Sequence, residues 1–582
     1  MKSRMGKVAI VKLERKSLKL GNEILALVCF TTLIITPTLT IDAFNPPKFA
    51  LLISGVTYIG IRNWKMIIQG LAQKDTLLLY MFLLVIFLVT LIANSYSISE
   101  RLFGIEGRNF GFLTLVALSL LGLYSFQATN RNFLNADNIL NGLGLTNFGV
   151  CLIFFLQENK IILKDFNNVY TTLPSTLGNP NFLSAYLGIS TLGLMNWMFK
   201  NRHRPLLALF GFGVNTYSIF VIFISGSIQG IVALTISLIA LSLIICLRYL
   251  SKILKLLIFA LVGIIALIIS AGFLSYGPFG NQLSQTTMRN RMIYWEIATR
   301  MFQESPLLGS GYDSYLDNYR IHFQESDFEN LGGLIVSDSP HNIFLELFVS
   351  GGLLLGLSLL FIVLLTLSKG FVYIKKSADS RNLDTSVASL YSIFLALVAI
   401  CLISPFQIGL FVWLPLLIGA LLGINSIGYR NAKQEFIIRQ KVLDKAASVT
   451  LCASLVMNNL VFAALPLSTE IRFRWAVEEG SFEKLEKVAL DWPFSAQRAI
   501  LVAQGLIDAK WNVAPDENNM DQLEVLRQRA FEIAEATIQI NDRQIQGWKF
   551  LLRNSQDLVV QKKARQKLQD LDPINPEYKL SP

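Results

Sequence analysis

The sequence predicts an all-α protein: a polytopic helical membrane domain of about twelve to thirteen spans, followed by a soluble helical domain. Three observations lead there. Hydrophobic residues make up 53% of the 582 positions. Apolar runs of about 18 to 23 residues, each long enough to cross a bilayer core of ~30 Å, recur from Ile24 to Leu467. Beyond Leu467 the composition changes to charged residues set among apolar ones at helical spacing.

The chain opens with a basic segment, residues 1–22, that carries Lys2, Arg4, Lys7 and Lys12. The apolar core behind it is long and no small-residue cleavage site follows, so it reads as an uncleaved first span. Thirteen spans are expected in a membrane domain covering 23–467: 23–40, 48–64, 76–94, 110–127, 138–156, 182–199, 205–224, 228–248, 254–275, 342–366, 386–404, 407–427 and 446–467. All five cysteines, Cys29, Cys151, Cys246, Cys401 and Cys452, fall in or at the ends of these spans. That placement argues against a disulfide framework or a thiolate metal site.

A net charge of +11 raises nucleic acid as a partner, and the distribution of the cations argues against it. When alternate connections are taken as cytoplasmic, Lys and Arg concentrate on that side. The opposite connections between spans carry Lys48, Arg101, Arg108, Lys160, Lys164, Arg289, Arg291, Arg300 and Arg320. The bias follows the positive-inside rule and sets the N-terminus in the cytoplasm. An odd number of spans then puts the 277–340 loop and the C-terminal domain outside.

That domain, 468–582, is near neutral, with sixteen Lys or Arg against eighteen Asp or Glu. Apolar residues recur at helical spacing in Phe482-Leu485-Val488-Ala489, in Ala499-Leu501-Val502-Leu506 and in Leu523-Leu526-Ala530-Ile533-Ala534-Ile538. The spacing predicts antiparallel helices. Similarity between Ala534…Asn541-Asp542 and Ala564…Asp572-Pro573 fits degenerate tetratricopeptide-like repeats, and an unrelated helical bundle accounts for the same pattern. A protein partner is expected at this domain.

The polar stretch from Gly277 to Pro340 carries the candidate chemistry. It ends in Asp338-Ser339-Pro340-His341-Asn342, in a chain with three histidines. His341 and Asn342 open a membrane helix beside a loop bearing Arg289, Arg291, Arg300 and Arg320. A titratable ring and several guanidinium groups are what a site acting on a charged, lipid-linked substrate needs. An amphipathic helix around 288–303 is expected to turn at Pro306 and Gly309 and return to the membrane at His341, folding the arginines over the mouth of the span.

Structural readings stand beside these. His341 can cap a helix, Arg108 can pair with Glu106, and Asn179 and Asn181 can form a turn and a cap. Gly352 and Gly356 have the spacing of close helix packing. His203 sits in a basic connection as orientation signal, and His322 is a second histidine of the loop. Gly309-Ser310-Gly311 lacks the Lys-Ser/Thr of a phosphate loop. Asp313, Asp317, Glu325, Asp327 and Glu329 lack ligand spacing for a metal and read as solvated loop surface.

Several segments in order resemble one family: Arg101-Leu-Phe-Gly104-Ile-Glu-Gly107-Arg108, Leu177-Gly178-Asn179-Pro180-Asn181-Phe182, Arg291 with Trp295, Pro306-Leu307-Leu308-Gly309-Ser310-Gly311, and His341-Asn342. Over roughly residues 90 to 420 the chain resembles the O-antigen ligase and polymerase superfamily of membrane glycosyltransferases. The resemblance implies transfer of a glycan from a polyprenyl diphosphate carrier to a hydroxyl of a glycan, lipid or protein acceptor. It places the reaction on the outer face of the plasma (inner) membrane, with inversion and without metal, nucleotide or other cofactor. His341 is then the base and Arg291 the stabiliser of the leaving diphosphate, with Arg108, Arg320, Asn179, Asn181 and Asn342 as candidate substrate contacts. Two departures bear on donor binding. Ser225-Gly226-Ser227-Ile228-Gln229-Gly230 lacks the arginine of the family's Ser-Arg-Gly turn, and Gly352 is followed by Leu355 and Gly356 rather than a glycine three residues on.

Two other classes fit part of the pattern. Glu346, an ionisable residue within a span, is what a small-anion, bicarbonate-type transporter would use. A cell-envelope scaffold would use the tail and tolerate the altered Ser-Gly-Ser turn.

Overall fold

The computed structural model describes residues 19–71, 74–92, 97–162, 173–247, 286–332, 335–379, 383–430, 456–512 and 520–578, with isolated positions at 251, 253, 254, 257 and 453. Among the described residues every regular element is helical. The membrane domain runs through α1 (19–33), α2 (Asn45–Leu71), α3 (Lys74–Ile92), the short α4 (Ile98–Phe103), α5 (Phe112–Asn130), α6 (Ala136–Glu158), α7 (Pro180–Lys200), α8 (Pro205–Ile224) and α9 (Ile228–Leu247). It continues through α10 (Thr286–Glu304), α11 (Tyr315–Tyr319), α12 (Glu325–Leu331), α13 (Ile343–Asp379), α14 (Thr385–Cys401), α15 (Ile408–Phe411) and α16 (Trp413–Arg430).

Six of these, α5 to α9 and α13, are long and apolar enough to cross a membrane. The all-α polytopic membrane architecture expected from the sequence is what the chain adopts. Helices also stand where spans were expected at 23–40, 48–64, 76–94, 386–404 and 407–427. The span expected at 254–275 lies almost wholly outside the described residues, and the one at 446–467 is described mainly from 456 onward.

Burial sorts the helices by position. α7 is buried nearly all round from Leu183 to Leu194, which marks it as central, while Leu206, Leu209, Phe210 and Phe223 of α8 are exposed in the manner of a lipid-facing helix. α5 and α16 approach closely because Gly419 and Gly423 face the backbone of α5 at Gly122 and Phe126, where a methyl group would collide.

α13 is two helices joined at a break. Gly351 (φ −137°, ψ 20°) and Gly352 (φ 61°, ψ −154°) leave the helical region. The Pro306–Gly311 turn fills the gap: Ser310 N donates to Val349 O at 2.7 Å, Gly311 N to Ser350 O at 3.1 Å, and Leu353 N to Pro306 O at 2.8 Å. Backbone groups orphaned by the break thus find partners in the turn. Gly351 and Gly352 serve this docking, while Gly356, beyond the break, packs against Phe348 of the preceding half of α13, where a side chain would collide.

The C-terminal domain follows as α17 (Leu465–Glu479), α18 (Phe482–Ala489), α19 (Ala496–Asn512), α20 (Met520–Ile540), α21 (Ile545–Asn554) and α22 (Leu558–Leu571). Apolar faces expected from the spacing, including Val488, Ala499, Val502, Leu506, Ala530, Ile533 and Ala534, form its core with Trp548, Leu551 and Leu568. The composition change at residue 468 falls inside α17, which runs on from the helical residues 456–459 through a π turn at Leu460–Ala464.

Candidate functional site

The site begins with a tight loop between α4 and α5. Gly104 (φ 78°) and Gly107 (φ 83°) allow the chain to reverse and drive Arg108 inward. Its guanidinium, 7% exposed, bonds the Glu346 carboxylate and the backbone carbonyl of Asp338, and lies 3.4 Å from the Asp313 carboxylate. Asp313 in turn accepts from Ile105 N at 2.8 Å. Burial works against the Arg108 charge, but Asp313, Glu346 and Asp338 together outweigh it and hold the guanidinium well above its usual range. Arg108 is thus the pin between its own loop, the loop before α11, the segment leading to His341 and the first turn of α13.

His341 lies between that pin and α13. Asn342 caps α13, its Oδ1 accepting from Phe344 N at 3.0 Å and Leu345 N at 3.2 Å. With the Asp338 carbonyl gripped by Arg108 on one side and the cap on the other, His341 adopts φ +53°, a conformation non-glycine residues rarely take. Its ring stacks on Tyr294 of α10, centroids 5.7 Å apart. Nδ1 is buried with no hydrogen-bond partner among the described residues. Burial first, then the positive charges of Arg291 and Arg108, push the imidazole down to about 4, with Asp338 pulling the other way. It is therefore neutral at pH 7 and has an unengaged ring nitrogen.

Arg291 precedes Tyr294 by three residues on α10, so both share one face. The guanidinium is buried and acts electrostatically on His341. The other loop arginines turn to structural tasks. Arg289 bonds Asn330, and Arg300 bonds Gln324 and Asp327. Arg320 donates to Ile335 O at 3.1 Å and packs over Phe323 at 4.7 Å, and its charge is felt by Asp572 of the tail. Of the four, the structure brings Arg291 to His341 and sets Arg320 on the side of the tail.

Asn179 caps α7 by accepting from Asn181 N at 2.8 Å, with Pro180 in the first turn. Gly178 packs on Phe44, next to Asp42 and Asn45, and Asn45 bonds the Gly107 carbonyl. The Asn-Pro-Asn turn therefore sits at the same end of the bundle as Arg108, through intermediaries. His322 pairs with Glu304 at 2.5 Å and with Asn318 O at 3.0 Å, while His203 lies in the turn between α7 and α8.

Four acidic residues take places other than those expected from the sequence. Asp313 was expected on solvated loop surface, but it is buried against Arg108 because the Gly309–Gly311 turn, docked on α13, carries it inward. Asp327 is buried as well, and Asp317 is half-buried. Glu346 is held by Arg108 rather than standing alone in a span. The turn that lacks the family's arginine is stitched by hydroxyls, with Ser227 N on Ser225 Oγ and Gln229 N on Ser227 Oγ. Gln229 is buried and reaches Ile403 O at 3.4 Å.

From Ile343, two residues past His341, a largely apolar cavity of about 760 Å³ extends along the bundle. Leu83 and Phe87 of α3, Leu118 and Phe126 of α5, Leu359 of α13 and Ile418 of α16 line it, and Lys369 and Lys376 lie at the far end of α13. Among the described residues no three His, Cys, Asp or Glu are arranged to hold a metal ion.

Residues 213–361 match the family model described as O-Antigen ligase. The matched segment contains Arg291, Arg320, His341 and Asn342 and stops short of Arg108, Asn179 and Asn181. No curated protein matches the chain.

Proposed function

As a multi-pass membrane protein carrying an O-antigen ligase-type domain, this chain is, we propose, a polysaccharide-biosynthesis enzyme that moves a glycan from a polyprenyl diphosphate carrier to an acceptor hydroxyl. The single observation that carries the reading is neutral His341, with Nδ1 unengaged, beside buried Arg291 at the head of a lipid-sized cavity. The acceptor hydroxyl gives its proton to His341 as its oxygen bonds to the anomeric carbon. The bond from that carbon to the diphosphate breaks on the opposite face, and the leaving group departs with the electron pair. Attack and departure on opposite faces invert the centre.

Arg291 meets the charge that grows on the diphosphate, where a charge-assisted bond at a low-dielectric boundary is stronger than in water. A base so placed contributes about 10²–10⁴ in rate. Arg108 acts on the site indirectly, by fixing the Asp338–Asn342 segment. The prenyl chain lies in the groove between α3, α5, α13 and α16. Orientation with the N-terminus in the cytoplasm, and with His341 and the tail outside, rests on the charge bias of the connections. Pairing of Glu346 with Arg108 gives that carboxylate a structural partner and favours transfer over carriage of a small anion.

The test is glycan transfer in membranes from wild type and His341→Ala at matched expression. Loss of glycosylated product with build-up of carrier-linked glycan is expected. Undiminished product in the variant removes His341 as the base.

A further inference from the structure

The C-terminal domain meets the membrane domain on the two short helices that flank the Arg108 network. Ile105, just past α4, donates its N–H to Asp313, and Asp313 stands next to Ser314, the N-cap of α11. Glu100 of α4 and Asp317 of α11 are brought close enough that the Asp317 charge acts on Glu100. One amide from the tail serves both: Asn541 Nδ2 donates to Glu100 Oε2 at 3.1 Å and to Asp317 Oδ2 at 2.9 Å. Asn541 follows α20 and is buried, and its Oδ1 accepts from Arg543 N at 3.1 Å, which fixes the nitrogen toward the carboxylates.

The rest of the junction agrees with a docked tail. Arg543 reaches Asn318 Oδ1 at 2.5 Å, Ser99 Oγ donates to Phe494 O at 3.0 Å, Phe103 meets Trp492 edge-on at 5.6 Å, and Ile321 packs on the tail core. Around the two carboxylates stand Asp313 from the loop before α11, Arg543 from the turn after α20, and a backbone N–H of Ala496 from α19. Glu106, Glu470 and Arg498 form the adjoining cluster, with Asp42 behind Glu470. Burial, then the Asp317 charge, pushes the Glu100 carboxyl up to about 8. Asp317 rises to about 6, through burial and against the Asn541 bond.

We propose that the tail is a positioning element of the transfer site: Asn541 clamps α4 to α11 and thereby holds Asp313 and Arg108 in register with His341. The inference rests on the reading of glycan transfer at His341. Asn541 touches neither substrate nor reacting atoms, so it is a positioning residue. Without its amide two half-buried carboxylates face each other. As long as one keeps a proton it can donate to the other and stand in for the amide. As pH rises that proton leaves and the helices part.

The experiment uses full-length protein and compares wild type, Asn541→Ala and Asn541→Ala with Glu100→Gln between pH 6 and 8.5. Glycan transfer and hydrogen exchange at amides 98–105 and 313–319 are both followed. For Asn541→Ala we expect kcat to fall at least about tenfold at pH 8.5 with KM little changed, as a small misplacement of catalytic groups does. The deficit should shrink toward pH 6. Glu100→Gln should abolish it at every pH, because the new amide donates to Asp317. Exchange should follow the same order. Unchanged transfer in Asn541→Ala overturns the proposal, and so does a loss that is equal at all pH values and unrelieved by Glu100→Gln. If wild type transfers nothing, the reading of function fails instead, and the clamp is then judged by exchange: protection lost in Asn541→Ala at pH 8.5 and regained in the double variant supports it, and any other pattern overturns it.

Discussion

Arg108 and Glu346, 238 positions apart in sequence, form a buried ion pair that ties the loop before α5 to the first turn of α13. A buried pair contributes little net stability against an apolar replacement, yet breaking it leaves one charge stranded at a cost of about 3–5 kcal/mol. Arg108→Ala strands two carboxylates, Glu346 and Asp313, whereas Arg108→Met combined with Glu346→Met strands Asp313 alone, so the single variant should lower the thermal midpoint in detergent further. Transfer should stay low in both variants, because neither grips the Asp338 carbonyl. Wild-type turnover in the double variant would reduce the pair to packing.

The pH dependence follows from the His341 shift. The folded protein keeps the imidazole neutral down to about 4, against 6.5 for the free ring. Between those values the unfolded chain binds the extra proton, so stability contributed by a neutral His341 is present above about pH 6.5 and is lost as pH falls toward 4. Chemical denaturation of wild type and His341→Gln should diverge in slope across that window. Transfer limited by His341 should hold level from pH 8 to about 5, and an acid limb centred near 6.5 would mean that the ring is not in this environment.

The parts of this molecule written in local sequence were legible before the structure. Long apolar runs give the spans, Pro306 and Gly309 give the turn after α10, and Asn342 gives the start of α13. Contacts between distant segments were not. Asp313 looks like any loop acid until the turn at Gly309 docks into the Gly351–Gly352 break and carries it to Arg108. Arg320 resembles a substrate ligand by type and loop, and its neighbours Phe323 and Asp572 are set by folding of the loop and docking of the tail. Asn541 is a turn residue by sequence, and its two carboxylate partners lie 441 and 224 positions away.

The glycine break makes a separate prediction. Gly352 combines a positive φ with a position where a methyl group would strike the Leu307 backbone. Gly480 has a similar φ of 63° but open space around it. Gly480→Ala should cost on the order of 1 kcal/mol from backbone conformation alone. Gly352→Ala should cost at least about twice that and also lower transfer, since displacing the 306–311 turn moves Asp313. Equal midpoints for the two variants would show that the turn does not depend on Gly352.

The groove predicts how donors of different length respond to a blockade. Ser358 lines the cavity fifteen residues along α13 from Ile343, beyond the Gly351–Gly352 break. Ser358→Trp would put an indole in the path of a long prenyl chain while leaving the His341 end open. For polyprenyl donors KM should rise about tenfold or more with kcat largely kept, because lost binding of a remote tail is uniform binding. Donors with a chain short enough to end near Leu347 should show unchanged kinetics. A thermal midpoint close to wild type would show that the indole occupies existing space, and equal loss with short and long donors would place the prenyl chain elsewhere.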